Sequence, residues 1–240
     1  MFAGAWLGLL LRARLPAGHF SDDAKDVLKL AMGLVATMAA LVIGLLTASA
    51  KSGFDVQTGE VQQGAAKIIQ LDRVLARYGE DSKGIRERLK ALIALRLQLT
   101  WPEESTATAT AEEWEALRAQ EQFIDQIRAL TPQNAAQRDL QSSALQIWGE
   151  LLATRWLVYS QAARPLPTPF IVVMGLWLSL LFTGFGLLAR RNATVVVGIL
   201  VCALVVSTSI FLILEMNRPL EGLIKISSAP LRYALAELGR

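Results

Sequence analysis

Two charge-free runs, Leu166–Ala189 and Asn192–Leu214, separated only by Arg190 and Arg191, constrain this chain more than any other feature. Each exceeds twenty residues without Asp, Glu, Lys or Arg. A helix of that length crosses the ~30 Å hydrocarbon layer of a bilayer. The pair reads as a transmembrane helical hairpin. It ends at Glu215-Met-Asn-Arg-Pro219, where charge returns and proline stops the helix. A third span, Leu30–Ala50, follows Ser21-Asp-Asp-Ala24, whose hydroxyl and carboxylates suit a helix start. Met1–Leu11 is apolar too, but eleven helical residues cover only about 16 Å. It reads as an abbreviated first membrane helix, ended by Arg12, Arg14 and Pro16, with Gly18 and His19 in the turn.

The middle of the chain has a different character. Residues 51–165 carry 14 basic and 15 acidic side chains, too balanced for a nucleic-acid footprint and too charged to cross a membrane. Apolar residues recur there at helical spacing. Val61, Ala65, Ile68, Leu71 and Leu75 form one stripe, which makes the membrane helix run on into solvent unless Gly53, Gly59 or Gly64 kinks it. Ser82 opens a second helix, with Ile85, Leu89, Leu92 and Leu99 inward and Trp101-Pro102 at its end. Thr110-Ala-Glu-Glu113 fits a capping box for a third, with Trp114, Leu117, Ile124 and Ile127 on one face. Thr131-Pro132 starts a fourth, with the stripe Leu140, Ala144, Ile147, Leu151, Thr154 and Val158. The predicted fold is therefore all-α: a multi-pass helical membrane protein with a helical extramembrane bundle. It divides into membrane helices in 1–50, the bundle in 51–165, the hairpin in 166–215, and an amphipathic tail in 216–240 with Leu231, Ala234, Leu235 and Leu238 on one face.

Catalytic chemistry is hard to assemble from this composition. One histidine, His19, and one cysteine, Cys202, exclude most His/Cys metal sites and any disulfide within the chain. No glycine-rich phosphate loop follows a strand. Asp22-Asp23 and Glu112-Glu113 are neighbours that point apart on a helix and read as helix-start charges. No cofactor, metal or enzymatic activity is expected. Two groups remain. Gly33, Thr37, Ala40, Gly44, Thr47 and Lys51 alternate by four and three, so they share one small, hydroxylated face of the first long span. Such a face either lets helices approach closely or lines a pore in an oligomer. Glu215, Asn217 and Arg218 gather charge at a membrane edge, as an interfacial anchor and helix stop or as a ring at a pore mouth. The membrane helices 166–189 and 192–214 have small stripes of their own, Gly175, Ser179, Thr183 and Gly186, then Gly198, Cys202, Val205 and Ser209.

The segment Leu30–Lys51 resembles the second helix of the bacterial integral-membrane family called bestrophin-like. Leu71-Asp-Arg-Val-Leu-Ala-Arg-Tyr-Gly79, Glu215–Ile226 and Pro230-Leu-Arg232 resemble its other hallmarks. The family's name implies kinship with bestrophins, pentameric anion-selective channels with four membrane helices and a helical cytosolic body. The resemblance implies a homo-oligomer, a pentamer by analogy, in the cell (inner) membrane. Its partners would be the lipid bilayer and small anions, with no nucleic acid. Three departures stand beside it: the first helix is short, Asn217 stands where the family commonly has an acid, and no run of acids resembles a calcium clasp. The resemblance places 51–165 in the cytoplasm. The positive-inside rule, applied to Arg12, Arg14, Lys25, Lys29, Arg190 and Arg191, places it outside. The alternative function is a non-conducting scaffold or sensor whose bundle binds a protein partner.

Overall fold

A computed structural model describes residues 2–14, 21–101, 109–162, 168–189, 192–220 and 222–240. Every regular element among them is helical. In chain order these are α1 (Phe2–Arg14), α2 (Asp22–Tyr78), α3 (Lys83–Thr100), α4 (Ala109–Arg128), α5 (Ala135–Ala162), α6 (Thr168–Leu188), α7 (Ala193–Met216) and α8 (Ala229–Glu237). A single 3-10 turn, Glu80–Ser82, precedes α3. By length and composition, α2 and α7 contain stretches able to cross a membrane, and Val172–Leu188 is a shorter apolar helix. The chain divides into two compact units: Met1–Phe54 with Arg164–Arg218, and Asp55–Ala163 with Pro219–Arg240.

Local signals account for most helix ends. Gly53, Gly59 and Gly64 leave α2 unbroken for 57 residues, so a glycine's cost of about 1 kcal/mol does not by itself stop a helix. What does stop it is Gly79, in the left-handed region at φ 119°, where glycine carries no Cβ penalty. Ser82 does not cap α3 as a serine usually would. Its hydroxyl donates to Leu75 O at 2.5 Å and to Gly79 O at 2.7 Å, tying the turn to the end of α2. The fourth extramembrane helix starts later than Thr131-Pro132 predicts: Asn134 accepts from the backbone N–H of Gln137 at 2.8 Å and α5 begins at Ala135. α4 begins at Ala109, so Thr110 lies within its first turn. The expected turn at Gly18 and His19, the hinge Arg190-Arg191 and the side chains of Trp114, Leu117, Thr154 and Val158 lie outside the described residues.

The first unit is held by small residues where backbones approach and by large ones elsewhere. α1 lies against α6 so closely that a Cβ on Gly4 would stand 2.6 Å from Ser179 O, and one on Gly8 2.1 Å from Thr183 O. Ser179 and Thr183 make room by donating their hydroxyls to their own helix, to Gly175 O and Ser179 O, each at 2.7 Å. Met32 and Ala39 of α2 pack with Met174, Leu178 and Leu181 of α6. Gly184 allows this by leaving space for the Met32 side chain. Ala5, Phe182 and Ala203 form a second cluster, and Ala50, Ile213 and Met216 a third.

The second unit has a conventional apolar core. Ala65, Ile68, Leu71 and Leu75 of α2 meet Ile85, Leu89 and Ile93 of α3, Phe123 and Ile127 of α4, and Ala144, Ile147, Trp148 and Leu151 of α5. Phe123 and Trp148 stack at a tilt, ring centroids 4.4 Å apart. The tail completes this core with Leu231 and Ala234 from α8 and Leu238 just beyond it. Trp101, which ends α3 as its sequence position predicts, is buried, and its indole N–H donates to Ile226 O at 2.9 Å.

Candidate functional site

The helical period divides the apolar part of α2 into two sides. Met32, Ala39 and Ala50 are buried within the unit, and Val35, Val42, Ile43 and Leu46 are half-buried beside them. Gly33, Thr37, Ala40, Gly44 and Lys51 are exposed, with Thr47 at the border and half-buried. Among the described residues nothing lies within 4 Å of where a Cβ would stand on Gly33 or Gly44. Thr37 and Thr47 donate their hydroxyls to Gly33 O at 2.9 Å and Ile43 O at 2.8 Å. This bonding occupies the hydroxyl donors while leaving oxygen lone pairs outward. The face is thus small, uncharged and weakly polar over five turns, and closes on the Lys51 ammonium group.

Glu215, Asn217 and Arg218 do not form one continuing helical face, because α7 ends at Met216. Asn217 donates its side-chain amide to Ile213 O at 2.8 Å, and the Arg218 backbone N–H donates to Glu215 O at 3.0 Å. Together they satisfy carbonyls that the helix end would leave open. An ionised acid at 217 has no proton to donate to that carbonyl, which accounts for an amide at this position.

Two constellations were hidden in the sequence. One is the Gly4–Gly8 pair, whose four-residue spacing is itself a helix-packing signal. The other centres on Asp72, 1% exposed. Arg86 grips it with two parallel bonds, Nε to Oδ1 at 2.8 Å and Nη2 to Oδ2 at 2.9 Å. The backbone N–H of Gly239 also donates to Oδ2 at 3.3 Å. Arg86 Nη2 reaches Arg240 O at 3.4 Å, and Lys90 Nζ reaches Leu238 O at 3.3 Å. The hydrogen bonds that Arg86 donates to the Asp72 carboxylate hold its guanidinium above its ordinary pKa. Asp72 and Arg86 neutralise each other and the cluster pins the tail, an arrangement built for attachment rather than catalysis. Asp72 follows Leu71 within the apolar stripe of α2, and an acid beside a buried stripe is the signal that marks it. Among the described residues no group of three or more His, Cys, Asp and Glu could hold a metal.

Glu60 has a buried Oε2 without a hydrogen-bond partner among the described residues. Its burial raises the carboxyl pKa above the ordinary 4.5. The native state therefore holds this proton more tightly than the unfolded chain does. Stability from this group is full below pH 4.5 and falls as pH rises through the folded pKa. Glu60→Gln should accordingly raise the melting temperature at pH 7 and leave it nearly unchanged below pH 4.5. Parallel thermal melts across that range, with a difference that does not grow with pH, would refute the assignment.

No curated protein and no solved structure matches the chain. A family model, the bestrophin-like domain, matches residues 1–231, taking in every element from α1 to the start of α8. By that match across nearly its whole length, the chain belongs to the bestrophin-like family.

Proposed function

We propose that the protein is an oligomeric membrane channel conducting small anions, with Gly33, Thr37, Ala40, Gly44, Thr47 and Lys51 of α2 facing a shared axis. Membership of the bestrophin-like family supports a channel-type membrane protein at family level. The observation that carries the finer reading is the open space beside Gly33 and Gly44. Among the described residues nothing packs against Gly33 or Gly44, unlike Gly4 and Gly8 of α1 and Gly184 of α6. An axis shared by several copies gives that face a role: weakly polar walls, with Lys51 attracting anions at one end. In this reading Leu30–Ala50, α6 and α7 each cross the inner membrane, α1 is a half-length companion of α6, and no catalysis takes place.

The test is halide flux in proteoliposomes. Thr37→Trp and Gly44→Leu should reduce flux to background while native mass spectrometry in nanodiscs shows the same closed oligomer, five copies by analogy with bestrophins. Unchanged flux would remove these residues from the pore wall. A monomer would leave no axis, and would favour the non-conducting scaffold or sensor.

A further inference from the structure

The segment joining α7 to α8 is closed on itself. The backbone N–H of Ile226 donates to Pro219 O at 2.9 Å, and Ile226 is buried and held by the Trp101 indole. Between these pinned ends the chain turns at Gly222, whose φ of 102° belongs to the left-handed region. The next residue, Leu223, is 83% exposed. In the second unit the other large apolar side chains exposed among the described residues are Val56 and Tyr233, both less so. Among its described residues the unit otherwise covers its leucines, yet it displays this one beside the turn at Gly222. The loop begins three residues beyond the end of α7, so chain connectivity alone keeps its start within about 11 Å of that end. Lys225 follows two residues after Leu223.

We propose that this loop is a membrane-interface anchor, with Leu223 seated among the upper acyl chains and Lys225 at the level of the lipid phosphates. This rests on the reading that α7 crosses the bilayer. An apolar tip beside a cationic side chain matches the layered chemistry of an interface, apolar beneath and anionic above.

The native thiol permits a test in which the two readings fail separately. The full chain, in nanodiscs of phosphatidylcholine and phosphatidylglycerol, carries an environment-sensitive fluorophore either on Cys202, in the middle of α7, or on Leu223→Cys in a Cys202→Ser background. Lipids bearing a nitroxide near the glycerol should quench the label at 223, and lipids bearing it near the chain end should quench the label at 202. A water-soluble quencher should reach neither. Lipid quenching at 202 with aqueous quenching at 223 would overturn the anchor and leave the membrane reading standing. Aqueous quenching at both would overturn the membrane reading as well. Quenching of the 223 label by neither agent would mean a second protein surface covers the loop, and would also overturn the anchor.

Discussion

Asp72→Ala should destabilise the second unit by roughly 3–5 kcal/mol, the range for removing one partner of a buried ion pair. The geometry puts the loss on Arg86 more than on the missing carboxylate. The guanidinium is 17% exposed on its side chain. It would keep its charge, with Arg240 O 3.4 Å away as an acceptor, while the Gly239 N–H would lose its acceptor. Asp72→Asn should cost less, since an amide oxygen still accepts from Gly239 although it no longer balances the charge. Replacing Asp72 and Arg86 together by apolar residues of similar volume should recover much of the loss, because neither buried charge then needs a partner. Hydrogen exchange over residues 226–240, measured beside thermal melting, checks the mechanism. Protection of that segment should collapse in Asp72→Ala before the core helices melt. If the segment stays protected, the cluster does not hold the tail.

Gly8→Leu should detach α1 from α6. The Cβ alone would stand 2.1 Å from Thr183 O and 2.9 Å from the Leu187 N, both backbone atoms. A flexible neighbour could rotate away, but backbone in the middle of a helix cannot, so the helices must part. Overpacking usually costs about 1–3 kcal/mol, occasionally more, and a clash of this depth belongs at the upper end or beyond. Gly8→Ala should already show most of the effect. Gly44→Ala is the control. Its Cβ would enter open space, and alanine favours a helix interior over glycine by about 1 kcal/mol. Thermal stability in nanodiscs and protease sensitivity of residues 2–14 measure both. A Gly8→Ala protein as stable as Gly44→Ala would mean that α1 does not sit on α6 as described.

The α2 stripe and the α6 stripe look alike on paper, small residues at spacings of three and four, yet they meet different neighbours. Ser179 and Thr183 lie under α1, whereas Gly33 and Gly44 face open space. A periodic pattern identifies a face but not what covers it. The same limit applies to Asn217, which its sequence context leaves between a helix stop and a pore mouth, and whose amide closes the helix end at Ile213 O. Phe123, Ile93 and Trp148 joined the core of the second unit without standing out in the stripes, because bulk on a helix flank is buried only when a particular neighbour arrives.

By itself the sequence determined most helix positions, the stretches of α2 and α7 that are long and apolar enough for a bilayer, and the core faces of α2, α3 and α5. Helical period, charge-free length and Gly79 act over a few residues, and such signals are complete within a short stretch of chain. Only the tertiary structure decided that Gly4 and Gly8 seat α1 on α6, that among the described residues nothing packs against Gly33 or Gly44, and that Asp72 is met by Arg86, 14 residues on, and by Gly239, 167 residues on. Those outcomes depend on which surfaces come together, and a buried charge or a missing side chain has meaning only in the presence of the group that approaches it.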